Sequence, residues 1–155
     1  MMRILLLLAV ITLNFSFAMS EKQNKEVIKV IETKPQVKQE EEKIESVKFY
    51  SEKPSYKKGE NVCFVLENNS NNEILLPSTA PYAIFEKEKP EVAIFSPVSA
   101  QVITVIKPKE KKQWCWNQKD IEGKEVPSGD YFVRLTIFDK SGKKYFLKSE
   151  FSIKL

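Results

Sequence analysis

Histidine is missing from this 155-residue chain. Its absence removes imidazole metal ligands and every catalytic triad built on a histidine base. Glycine is scarce, with four residues, and none falls in a phosphate-cradling cluster of the GxGxxG or Walker type. Arginine is almost absent, occurring only at Arg3 and Arg134. Cysteine is limited to Cys63 and Cys115, with no CxxC pair, and two thiolates without histidine make a poor zinc site. Serines occur without a nucleophile elbow. Asp120, Asp130 and Asp139 sit among turn residues, where aspartate serves local hydrogen bonding. The chain therefore reads as non-enzymatic, with no cofactor and no metal.

Charge of one sign is not concentrated anywhere. The net charge is +4, and lysine and glutamate alternate along the chain. A nucleic-acid binder gathers its cations on one face, often as arginine, so no nucleic-acid partner is expected.

What is present begins with an export signature. Arg3 precedes an apolar run from Ile4 to Leu13, and Ser16 and Ala18 place small residues before a cleavage point after Ala18. The run falls short of the roughly 20 residues of a spanning helix. Residues 1–18 are read as a signal peptide; the alternative is an uncleaved anchor, the only membrane attachment expected. Residues 19–45 carry six Lys and seven Glu and read as a charged, flexible linker, too polar to offset chain entropy by burial. Within it, Val27–Ile31 is a small apolar cluster that could dock on a partner.

From residue 46 to 155 the texture changes to short apolar runs between turn signals. Strands are expected at Val47–Tyr50, Asn61–Glu67, Ile74–Leu76, Tyr82–Phe85, Val92–Phe95, Gln101–Ile106, Lys112–Asn117, Asp130–Phe138 and Lys143–Ile153. Pro54–Glu60 reads as a turn. Spacing of this kind, without a sustained helical period, predicts an all-β, immunoglobulin-like antiparallel sandwich of about seven to nine strands. Alternation puts Val62, Phe64 and Leu66 on one face of a strand and Cys63 and Val65 on the other. Tyr131, Val133, Leu135 and Ile137 share a face in the same way.

Cys63 and Cys115 fall on strands that neighbour each other in such a fold. An even cysteine count in an exported chain favours a disulfide, with two separate buried thiols as the alternative. Trp114 and Trp116 share one face of their strand, either as core or as an exposed aromatic platform. The run Asn68–Asn72 is a turn signal; Asn68-Asn69-Ser70 is also a glycosylation sequon.

Two stretches carry a resemblance. Tyr56-x-x-Gly59-Glu60-x-Val62 matches the opening of many bacterial and archaeal immunoglobulin-like domains. Trp116-x-x-x-Asp120-x-x-Gly123-x-x-x-Pro127-x-Gly129-x-Tyr131 resembles the signature of the bacterial intracellular proteinase inhibitor family. The same signature occurs in the immunoglobulin-like part of flagellar hook-capping proteins. The resemblance covers roughly residues 47–155 and implies an immunoglobulin-like fold, with Tyr131 as a tyrosine corner. It departs from the family pattern at Lys109, where a glycine is usual.

The function expected is an exported, non-enzymatic module that binds a protein partner, secreted or periplasmic, such as an envelope component. Secreted proteinase inhibition is the alternative. The surface expected to meet the partner is Tyr82, Phe85 and the charged hairpin tip Glu86, Lys87, Glu88, Lys89 and Pro90. For an inhibitor, Gln118–Val126 is a second exposed loop.

Overall fold

The computed structural model describes residues 44–155. The expected signal peptide, the Val27–Ile31 cluster and the charged segment up to residue 43 lie outside the described residues. Ile44, at the end of that segment, packs half-buried against the core.

The described residues form ten strands and no helix. β1 (Val47–Ser51), β3 (Val62–Asn68) and β8 (Lys111–Trp116) make an antiparallel three-stranded sheet in the order β1-β3-β8. The second sheet runs β2 (Ser55–Lys57), β10 (Lys144–Lys154), β9 (Gly129–Phe138), β4 (Ile74–Leu76), β7 (Thr104–Ile106). A hairpin of β5 (Tyr82–Glu86) and β6 (Ala93–Phe95) joins it through β5. β4 and β5 share one flank of β9: β5 pairs with Tyr131–Leu135, and β4 meets Phe138.

The inward positions follow the two-residue period. Val62, Phe64 and Leu66 of β3 are fully buried, as are Val133, Leu135 and Ile137 of β9. Tyr131, Trp116 and Phe151 cross between the sheets with centroid separations near 6 Å. Burying such rings and branched chains contributes about 1.5–3 kcal/mol each, and the two faces form one core. The result is an immunoglobulin-like β-sandwich.

Two strands differ from expectation. Pro54–Glu60 contains β2, which pairs in parallel with residues 152–154 of β10. A partner nearly a hundred residues away leaves no local trace in the sequence, and Tyr56 is buried because of it. Gln101–Ile106 is reduced to Thr104–Ile106. Its ladder partner β4 ends at Leu76, where Pro77 brings a residue with no N–H to donate. Residues 101–103 thus have no strand opposite them.

Cys63 and Cys115 face each other across β3 and β8 and form a disulfide. It lies on the outer face of the small sheet, with Cys115 exposed. Trp116 is buried, and Trp114 is half-buried with its Nε1 donating to Thr79 O at 3.0 Å. Asn68 is not an accessible glycosylation acceptor. It is fully buried, and its Nδ2 donates to the carbonyls of Asn72, Ile106 and Lys107.

Candidate functional site

The motif residues are joined by hydrogen bonds that build turns and tie the two stretches together. Tyr56 Oη donates to Cys63 O at 3.0 Å and accepts from Lys53 N. Gly59 has φ +81°, a conformation in which a Cβ is strained. Its N–H donates to Gln118 Oε1 at 2.9 Å, and Glu60 Oε2 accepts from Lys57 N. Trp116 Nε1 donates to Lys119 O at 2.7 Å. Asp120 Oδ1 accepts from the backbone of Glu122 and Lys124, and Gly123 N donates back to Asp120 O. Tyr131 Oη donates to Pro127 O, four residues upstream, at 2.6 Å. That is the tyrosine corner, and burial pushes the phenol up to about 12. Gly129 opens the strand behind it. These residues hold the fold and leave little for a ligand.

The hairpin proposed for binding divides in two. Lys87, Glu88, Lys89 and Pro90 are exposed and Glu86 is half-exposed, beside a cleft of about 640 Å³ shared with Pro127–Asp130. Lys87 is paired with Glu150 at 2.7 Å and Lys89 with Glu86 at 3.0 Å. Tyr82 and Phe85 are not at the surface. Tyr82 is 6% exposed, set edge-on against Phe64 at 4.6 Å, and burial raises its phenol to about 12. Phe85 is 2% exposed and stacks on Phe132 at 4.9 Å. Alternation along β5 puts Tyr82 and Ile84 on the core face and Phe85 on the opposite face, where Phe132 covers it. Both aromatic anchors are thus consumed by packing.

A different surface is unusual for this chain. From Ala93 to Ile106 fourteen residues pass without a charge, in a protein where Lys, Arg, Asp and Glu make up 30%. The stretch holds Val98, Val102, Ile103 and Val105, from 42% to fully exposed. It ends in β7, the last strand of its sheet, so its outer edge has no strand beside it among the described residues. Other strands with solvent-facing positions carry charge there: Lys48 in β1, Lys111 and Lys112 in β8, Lys144, Lys148 and Glu150 in β10. The second uncharged edge, β6, is covered where Ile121 N donates to Ile94 O at 3.0 Å. β7 carries no lysine or proline, devices that blunt an edge; it is three residues long, and the Asn68 amide reaches the Ile106 carbonyl at its end.

A groove of about 270 Å³ lies between the segments 77–83 and 96–101, ahead of β7 in the chain. Its rim is Pro77, Ser78, Pro81, Ser99 and Gln101, with Ser99 Oγ donating to Ser78 Oγ at 3.0 Å. One charged side chain, Arg134, reaches it from β9. Only the Gln101–Ile106 apolar run was visible in the sequence, and there it read as one more strand; that its edge would be bare depends on the sheet order.

No protein family matches the chain, and no curated protein is similar to it. Solved structures are similar at low levels. The periplasmic chaperone SfaE shares 13% identity at a TM-score of 0.46, over 70% of this chain and 56% of that one. The alkylpurine DNA glycosylase AlkC of Pseudomonas fluorescens shares 16% at 0.40, over 71% and 31%. A PapD-like domain of human CEP192 shares 14% at 0.37, over 80% and 95%. The chain thus spans about half, or less, of the first two. With these scores below 0.5, the fold assignment rests on the strand order and pairing described above.

Proposed function

We propose that this chain is an exported, non-catalytic binding module that takes up an extended segment of a protein partner along the outer edge of β7. The observation that carries it is the uncharged edge from Gln101 to Val105, with Val102, Ile103 and Val105 exposed. An added strand would satisfy edge N–H and C=O groups, each bond contributing about 0.5–1.5 kcal/mol net. It would also cover three branched side chains and give residues 101–103 the ladder partner that β4 cannot supply. The disulfide supports an oxidising compartment, and the Ile4–Leu13 run supports export.

The test uses the full chain, isotope-labelled, titrated with acetyl-Thr-Val-Thr-Val-Thr-Val carboxamide as an extended probe. Amide shifts are expected at residues 101–106, and Val105→Lys should abolish them. Shifts distributed elsewhere, or unchanged by that substitution, would overturn the reading.

A second reading is supported by one loop. Gln118–Val126 is braced by Trp116 Nε1, the Asp120 turn and Val126 N donating to Gln118 O at 3.0 Å, and it presents Ile121 at 72% exposure. A rigid loop with an exposed apolar apex is what a proteinase inhibitor requires. Incubation with a panel of secreted serine and cysteine proteinases tests it; full residual activity at micromolar protein removes it.

A further inference from the structure

The Cys63–Cys115 bridge is not a core staple. It joins residues that face each other within one sheet. Val62, Phe64 and Trp116 fill the inward positions of the same two strands, so alternation sends both sulfurs outward. Cys115 is exposed and Cys63 is half-buried. The two sulfurs therefore differ in what can reach them.

Cys63 lies on β3, the central strand of its sheet, and Cys115 on β8, the last one. Glu52 N donates to Cys63 O at 2.9 Å, which sets Glu52 opposite Cys63 on the β1 side. Gln113 stands two residues from Cys115 on the same face of β8. Its Nε2 donates to Glu52 Oε1 at 2.7 Å. That bond runs from the β1 side to β8, so it crosses the outer face of β3 over the stretch Cys63–Val65. On its other flank, Cys115 lines a cleft of about 460 Å³ together with Phe95 of β6 and Lys119, Asp120 and Ile121 of the loop after β8. Lys119 and Asp120 carry opposite charges, and Asp120 Oδ1 already accepts from Glu122 N and Lys124 N. An anion entering this cleft meets no net repulsion.

A thiolate displaces one sulfur of a disulfide in line, with attacking, attacked and leaving sulfurs near one axis. The axis through Cys115 Sγ opens on the free side of β8, toward the cleft. The axis through Cys63 Sγ opens on the β1 side, where the Glu52–Gln113 pair stands. We infer that Cys115 Sγ is a thiol-exchange site of the folded domain, with Cys63 as the leaving and resolving thiolate and a dithiol oxidoreductase as the co-reactant.

The exchange balances in two displacements. The incoming thiolate bonds to Cys115 Sγ, the Cys63–Cys115 bond breaks, and Cys63 leaves as the thiolate. The oxidoreductase's second thiolate then attacks its own sulfur in the mixed disulfide and expels the Cys115 thiolate. Two electrons pass from the dithiol, now a disulfide, to the two cysteines, which take up the two protons that the dithiol released. Run backwards, the same path makes the bridge, so Cys115 carries the mixed disulfide in both directions.

The test treats the full, oxidised chain with glutathione, traps free thiols with N-ethylmaleimide and maps both by peptide mass spectrometry. Glutathione should fall on Cys115 and maleimide on Cys63, with a preference of about tenfold or more set by access. The rate should rise in proportion to glutathione. Adducts on Cys63 or shared equally overturn the inference; so does a rate that levels off at the separately measured unfolding rate, because attack would then follow opening of the fold. Gln113→Ala removes the bond across β3 and, with a melt to confirm folding, should raise the share on Cys63; an unchanged share refutes the part given to that bond. A thioredoxin-type oxidoreductase reduced to a single thiol by a CxxS substitution should accumulate as an adduct on Cys115. No adduct, while glutathione still reacts there, overturns the oxidoreductase as co-reactant.

Discussion

Asn68 is the strongest test of how this sandwich is held at the end where β3 leaves the small sheet. Its Nδ2 donates to Asn72 O at 2.8 Å and to the carbonyls of Ile106 and Lys107 at 3.1 Å each. Its Oδ1 accepts from Ser70 N at 3.2 Å and from Ser70 Oγ at 2.6 Å. One amide therefore links β3 in one sheet to β7 in the other. In Asn68→Ala the buried Ile106 carbonyl loses this donor, a loss of about 1–3 kcal/mol. Nδ2 has two hydrogens to share among three carbonyls and Ser70 Oγ keeps its bond to Asn72 O, so about two more bonds are lost net, at roughly 0.5–1.5 kcal/mol each. The sum is about 4 kcal/mol. At roughly 4 °C per kcal/mol for a domain of this size, the melting temperature should fall by about 15 °C.

Asn68→Asp refines the argument, because it keeps the shape and replaces the donor by an anion facing three carbonyl oxygens. Its folded-state acidity must be weaker than the unfolded value near 4. The fold then favours the protonated form, so the variant's penalty is small below about pH 4 and grows as pH rises toward the raised folded value. Melts at pH 4 and pH 7, with Asn68→Ala as a reference lacking the ionisable group, read this directly. A drop under about 4 °C for Asn68→Ala, or an Asn68→Asp deficit that ignores pH, would refute the reasoning.

Other expectations follow from features already described. Closing a loop with a sequence separation of 52 is worth about 4 kcal/mol in chain entropy, so reduction should lower the melting temperature by about 15 °C; a shift of only a few degrees would contradict that account. Tyr131→Phe removes the bond to Pro127 O, and denaturant unfolding should report a loss of about 1 kcal/mol, smaller than at Asn68 because Pro127 is exposed. Glu67 is held down to about 2, first by Lys111 and then by Tyr50 and Asn69. Its folded value lies below the unfolded one, so its contribution is present above about pH 4.5 and is lost as pH falls toward 2; Glu67→Gln should flatten that limb of the stability profile.

Most of the fold was legible because β3 and β9 are half-buried and show their period of two. Both misreadings at the strand level have a non-local cause: β2 depends on the far end of the chain, and β7 is cut short by the length of β4. The buried polar residues were legible in principle. Asn68 continues the inward series Val62, Phe64, Leu66, and Gln118 continues Trp114, Trp116. Each sits where alternation demands burial, yet their residue types suggested turns. Gln118 in fact donates to Lys57 O and Glu60 O and takes a positive φ of 59°. At the candidate site, Tyr82 and Phe85 read as surface aromatics because strand spacing says nothing about which rings a neighbouring sheet will cover. The β7 edge needed the sheet order.

The parallel pairing of β2 with the end of β10 has a mechanical consequence. Tension applied between the segment before Ser55 and Leu155 pulls these two strands past each other along their own axes. Ser152 N donating to Pro54 O and Lys58 N donating to Lys154 O are then loaded together, as a lap joint, and must yield at once.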